Sequence, residues 1–313
     1  MDDVLDSRPA DRRALRMGTL TRSRGGARTA PAARGLDFAV VDMETTGLHP
    51  DEGARVCEIA VVRMRGDGTV LREFSTLINP DAPMAGQEFH GIGASDVVGA
   101  PKAGEIVDDL VELFSGAVLA GHKLDFEERF LAAEFLPEGL PGGLPGLCTL
   151  RALRSQVDLE RYSLPRASHA LSGHWPTGQH TALGDARACA QLLAELLDNA
   201  PGELRYTGPA PVPMRRRPTA VRLKPRASSG GAPRFFPVRD APARSLARWP
   251  HSWRPLELDP GLCGGGFGAE EREAALHAAE QRSLCRDALA ATAALAGGLA
   301  ATSAVRTMLR RLR

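Results

Sequence analysis

Phe38-Ala39-Val40-Val41-Asp42-Met43-Glu44-Thr45-Thr46-Gly47-Leu48 is an apolar run that ends in two acids and a turn. It predicts a buried strand over residues 36–43. Asp42 and Glu44 stand two apart, and the period-2 pleat of an extended chain puts both carboxylates on one face. Two such neighbours repel and resist desolvation unless a cation sits between them. A strand ending in ordinary surface acids would look the same, so the stretch needs partners further along the chain.

The surrounding pattern supplies a frame. Strands are predicted at 55–65 and 70–78, joined by a hairpin turn at Gly66-Asp67-Gly68. A helix follows over 103–114, a short buried strand over 117–120, and a helix from 125. A brief strand at 147–149 precedes helices at 149–157, 163–172 and 181–198. Strands first, then strands alternating with helices, indicate an α/β sandwich with a mixed five-stranded sheet flanked by helices.

Charge divides the 313 residues into blocks. The net charge of +1 conceals 12 basic and 25 acidic side chains over 36–200, against 11 basic and 2 acidic over 201–250. An acidic block acting on an anion needs metal ions, and a basic block beside it can hold a polyanion. Residues 1–35 read as a disordered basic arm, and 201–250, with ten prolines, as a Pro/Arg-rich linker. Residues 251–313 read as an Ala-rich helical tail. Its uncharged run over 288–305 is too rich in alanine, and too broken at Gly297-Gly298, to be read as a membrane span. Five cysteines without a CxxC indicate reduced thiols and a cytoplasmic protein.

Two further stretches carry candidate chemistry. Gly121-His122-Lys123-Leu124-Asp125-Phe126-Glu127-Glu128 runs from a strand end into a helix start, where open α/β sheets place ligands. His180-Thr181-Ala182-Leu183-Gly184-Asp185 puts a loop histidine ahead of a helix with an acid in its first turn. Together, in this order, the three stretches resemble the DEDDh 3′–5′ exonucleases, and within them the proofreading epsilon subunits of bacterial DNA polymerase III. The match spans about residues 36–200 and includes His90-Gly91-Ile92.

The resemblance implies a ribonuclease H-like domain at 36–200 that hydrolyses single-stranded nucleic acid from its 3′ end to 5′-mononucleotides. Two Mg²⁺ or Mn²⁺ ions activate water and stabilise the leaving oxygen in such chemistry. Hard ions prefer carboxylate oxygen, which gives Asp42, Glu44, Glu127 and Asp185 as the metal set. Read without a gap, the middle stretch puts Glu127 where the family has aspartate, with Asp125 as the alternative. His180 is the general base, since an unperturbed imidazole titrates near neutrality. Met43, Thr45, Thr46, Leu48, His90, Gly91, Ile92 and His122 are expected at the terminal nucleotide. The partners implied are 3′ ends of single-stranded DNA or RNA, with room for a polymerase or repair protein and none for a membrane. An RNA-trimming exoribonuclease and a non-catalytic nucleic-acid or partner-binding module are the rival readings.

Overall fold

The computed structural model describes residues 13–22, 29–216, 220–226, 252–254 and 257–258. Its strands are β1 (Leu15–Gly18), β2 (Leu20–Thr21), β3 (Asp37–Thr45), β4 (Val56–Arg65), β5 (Val70–Leu77), β6 (Val118–Gly121), β7 (Leu144–Cys148), β8 (Val157–Asp158), β9 (Arg205–Tyr206) and β10 (Ser252–Trp253). The helices are α1 (Gln87–His90), α2 (Ala94–Val97), α3 (Val107–Phe114), α4 (Asp125–Phe130), α5 (Thr149–Gln156), α6 (Leu164–Ser172) and α7 (Ala182–Asp198).

Six strands make one mixed sheet in the order β1-β7-β6-β3-β4-β5. The first four run parallel; β4 lies antiparallel to β3, and β5 antiparallel to β4. The β4–β5 reversal is the expected turn, with Gly68 at φ 92° and the Asp67 carboxylate accepting from Thr69 N at 2.8 Å. Helices cover both faces, which is why β3 reads as a nearly unbroken apolar run. Phe38 and Val40 join the core beneath α5, α6 and α7. Ala39, Val41 and Met43 join the opposite core, with Leu110 and Phe114 of α3 and Phe130 of α4. Asp42 and Glu44 share the parity of Phe38 and Val40, so they face the α7 side. The β3–β6 pairing runs only to Val40–Ala120, which leaves both acids beyond the point where the strands part. That crevice at the carboxyl ends of parallel strands is the usual ligand position of an open α/β sheet.

The sheet has six strands where the sequence pattern predicts five. The sixth is β1, from the segment read as a disordered arm, and it pairs in parallel with β7. Leu15 and Leu20 are buried, and β2 pairs with β9. Eight arginines spread over 35 residues hid this short stretch, and its pairing partner lies far along the chain.

The segment read as a linker also lies partly on the domain. Gly116 N donates to Val212 O at 3.1 Å, and the Ser115 hydroxyl exchanges hydrogen bonds with the Met214 backbone. Further on, Leu77 N donates to Lys224 O at 2.9 Å along the edge of β5. Prolines bar a regular ladder but leave single carbonyls free to accept. Apart from β10, which pairs with β8, and Trp253, Arg254 and two residues beyond, the tail lies outside the described residues, as does the run at 288–305. Among the described residues no helix is long and apolar enough to cross a membrane.

Candidate active site

The carboxylates of Asp42 and Glu44, from the end of β3, meet that of Asp185, from the first turn of α7. One oxygen from each lies within 4.8 Å of the others. Local chemistry sets where α7 begins. The Thr181 hydroxyl accepts from Gly184 N at 3.1 Å as the N-cap. The buried Glu58 carboxylate, across from Glu44 on β4, accepts from Ala182 N at 3.1 Å. Asp185 itself accepts from His180 N at 3.1 Å, tying the preceding loop down. A side chain at Gly184 would put a Cβ 2.0 Å from Gly178 O, so only glycine lets this loop close on the helix. His180 is exposed and sits at φ 61°, a left-handed conformation that costs a β-carbon residue roughly 1–2 kcal/mol.

Glu127 reaches the same crevice from α4. It is 4% exposed, and its Oε2 has no hydrogen-bond partner among the described groups. Asp125 turns elsewhere, into an ion pair of 2.7 Å with Arg151 on α5.

Crowded acids in a crevice hold their protons. Burial, then the charges of Glu127, Asp185, Glu44 and Glu58, push Asp42 well above the usual carboxylate range. Burial first, with help from Asp185 and Glu58, raises Glu44 to about 7. Burial also raises Glu127 and Asp185, the latter despite the His180 N–H. An orphaned buried oxygen and an all-carboxylate donor set fit a hard divalent cation, which would relieve both the repulsion and the lost hydration.

The RNase T exonuclease family model matches residues 39–193. DNA polymerase III subunit epsilon of Treponema pallidum is 31% identical over 176 residues, which cover 51% of this chain and 76% of that protein. The chain belongs to the RNase T exonuclease family. A DNA polymerase III subunit epsilon-like protein of Rhodobacter capsulatus is 37% identical over 169 residues, 52% of this chain but only 24% of that protein's length. A solved structure of exonuclease I aligns with a TM-score of 0.45 at 16% identity, over 53% of this chain and 41% of that one.

Within the exonuclease domain the other sequence-named residues divide. Leu48 is 68% exposed, and Thr45 and Thr46 are half-buried at the end of β3. The Met43 side chain points away from its acidic neighbours into the core beneath α3, which removes it as a side-chain contact to substrate. The half-buried His122 is engaged at both ring nitrogens. Its Nδ1 bonds the Thr149 hydroxyl at 3.0 Å and its Nε2 bonds Tyr162 O at 2.7 Å, while burial pushes its pKa down to about 4. It ties the end of β6 to α5. His90 and Ile92 are buried. His90 Nδ1 accepts from Ile92 N at 3.0 Å and Nε2 donates to Ala85 O at 3.1 Å, so the imidazole is consumed in shaping its own turn around Gly91 at φ 69°. The exposed side chain of this stretch is the adjacent Phe89.

For two residues near the site the sequence reading did not give the contacts they make. Glu58 sits in an alternating strand as an ordinary half-buried polar position, and only the pairing with β3 brings it beside Glu44. Arg226 lies beyond the family match, in the proline-rich segment. Its guanidinium bonds Glu58 at 3.1 Å and His90 O at 2.9 Å, placing a positive charge among the acids. No local signal marks either one.

Proposed function

We propose that this domain is a metal-dependent 3′–5′ exonuclease that releases mononucleotides from single-stranded nucleic acid, with DNA as its substrate. The observation that carries the reading is the convergence of Asp42, Glu44 and Asp185 within 4.8 Å, beside a buried Glu127 oxygen that lacks a partner. Asp42, Glu44, Glu127 and Asp185 would hold two divalent ions, Mg²⁺ or Mn²⁺. Such ions, when bound, supply charge stabilisation for the phosphoryl centre and acidify water. His180, exposed on a loop anchored to Asp185, takes the proton of the attacking water on its imidazole. Leu48 offers the terminal nucleotide an apolar contact; the Thr46 hydroxyl, which accepts from Arg55 N at 2.9 Å, keeps its proton to donate, whereas the Thr45 hydroxyl already donates to Gly47 O at 2.6 Å and can only accept. The DNA polymerase III relatives make a polymerase the proposed partner. The buried free thiols of Cys57, Cys148 and Cys189 suit a reducing cytoplasm.

A 5′-labelled single strand, as DNA and as RNA, tests the reading in Mg²⁺, in Mn²⁺ and in excess chelator. The expected product is a ladder of ever shorter labelled strands, from DNA in preference to RNA, abolished by chelator. His180→Ala should lower turnover about 10²- to 10⁴-fold while strand binding in chelator persists. Degradation undiminished by chelator, or immediate release of labelled mononucleotide, would contradict it.

A further inference from the structure

The loop between α6 and α7 carries a large aromatic side chain that the core does not use. Trp175 is 50% exposed and belongs to none of the core clusters among the described residues. Gly173, at φ 81°, ends α6 and turns the chain back, so the indole folds onto the helix it follows. His169 stacks on it, with ring centroids 4.3 Å apart and planes 21° from parallel. The Arg166 guanidinium lies 5.4 Å from the ring centroid. Arg166 and His169 are three residues apart on one helix and share its face, so one helix turn supplies both contacts to the indole. With both in place the residue as a whole stays half exposed.

The platform is held in place before any ligand arrives. The Ser172 hydroxyl donates to Ser168 O at 2.8 Å and accepts from His174 N at 3.2 Å. Pro176 follows directly, and the Gln179 side-chain amide donates to Pro176 O at 3.2 Å. Little loop entropy remains to be lost on binding. Position adds to the case. Trp175 precedes His180 by five residues, so the two Cα atoms stand at most about 18 Å apart. A strand with its 3′ end at the carboxylates that leaves along the loop between α6 and α7 comes within reach of the indole.

We infer that Trp175, backed by His169 and Arg166, is a stacking platform for a base of the single strand upstream of the scissile phosphate. The inference rests on the nuclease reading of the carboxylate site. It also meets a need of that reading. Residues 36–200 carry 25 acidic against 12 basic side chains, so phosphate attraction is weak over this block, whereas a base offers a neutral π-face of any sequence. The neighbouring Arg166 adds a cation to the stack.

The full-length protein is titrated in excess chelator with a single-stranded oligonucleotide and with one of equal length lacking its bases. Tryptophan emission and affinity are read for wild type, Trp175→Ala and Trp175→Tyr. The wild type should show quenching that Trp175→Ala loses. Its affinity should fall about 5- to 100-fold for the normal strand. For the strand without bases the two proteins should bind alike. Trp175→Tyr should recover most of the affinity. The salt dependence should be the same in all three, because stacking neutralises no phosphate. Equal affinity of Trp175→Ala and wild type for the normal strand, or an equal loss on the strand without bases, overturns the platform. A wild type that binds and degrades no strand at all, with metal supplied, overturns the nuclease reading instead.

Discussion

Replacing Arg226 by alanine should destabilise the protein by an amount that depends on pH. Arg226 is the basic partner of Glu58, which is 1% exposed. Without the guanidinium, Glu58 keeps one described donor, Ala182 N. An unpaired buried carboxylate typically costs 3–5 kcal/mol. The carboxyl escapes part of that by taking a proton, which from the ordinary glutamate value of 4.5 costs about 3.4 kcal/mol at pH 7. Burial already outweighs the pairing in the wild type and holds Glu58 above its ordinary value, so part of this cost is present before the substitution. The Arg226 side chain is also 26% exposed, and water replaces some of what it gives. A net loss of about 2 kcal/mol at pH 7 is expected, including the hydrogen bond to His90 O. The proton limit falls by about 1.4 kcal/mol per pH unit, so near pH 5.5 the loss should shrink to about 1 kcal/mol. The sign follows from linkage. A carboxyl whose folded pKa is raised stabilises the fold at low pH and loses that contribution as pH rises through the folded value. The variant raises it further, so its stability falls more steeply between pH 5 and 7. Urea unfolding in chelator at both values measures this. In a Glu58→Gln background the same substitution should cost only about 0.5–1 kcal/mol. A loss that is equal at both pH values, or unchanged by Glu58→Gln, would refute the pairing argument.

Three other outcomes are expected. Glu127→Gln should abolish metal-supported turnover while Asp125→Asn, which breaks only the pair with Arg151, should be much milder; single-turnover assays of the two variants that rank them in reverse would make Asp125 the ligand. In chelator, thermal stability should fall as pH rises from about 5.5 to 8, because Glu44, raised to about 7, and its raised neighbours must ionise; Mg²⁺ or Mn²⁺ should restore stability increasingly over the same window, read by thermal shift. Leu15→Asp should cost at least 3 kcal/mol in urea unfolding, since it buries a charge at a 2%-exposed position where the β1–β7 pairing begins; a loss below 1 kcal/mol would make β1 dispensable.

What could be read from the sequence was local. The period-2 run into Asp42 and Glu44 placed both acids on one face of a buried strand, and the structure puts them on the α7 side of β3. Most strand and helix spans from 36 to 198 follow their periodicities, because each is decided within one or two turns of contiguous chain, but β7 begins at Leu144 instead of 147, and the short α1, α2 and β8 left no periodicity to read. Three of the four acids that the resemblance to the DEDDh exonucleases implied as the metal set, Asp42, Glu44 and Asp185, come within 4.8 Å. Tertiary structure decided the rest. Whether His122 and His90 would face substrate depended on which carbonyls and hydroxyls the fold brought to their ring nitrogens. The edge strand β1 depended on β7, and the Arg226–Glu58 pair joined residues 168 apart. Averaged composition marked both segments as unstructured, since a few buried side chains and single backbone hydrogen bonds leave no periodicity behind. Such contacts exist only once the sheet is assembled and its edges and crevice offer partners.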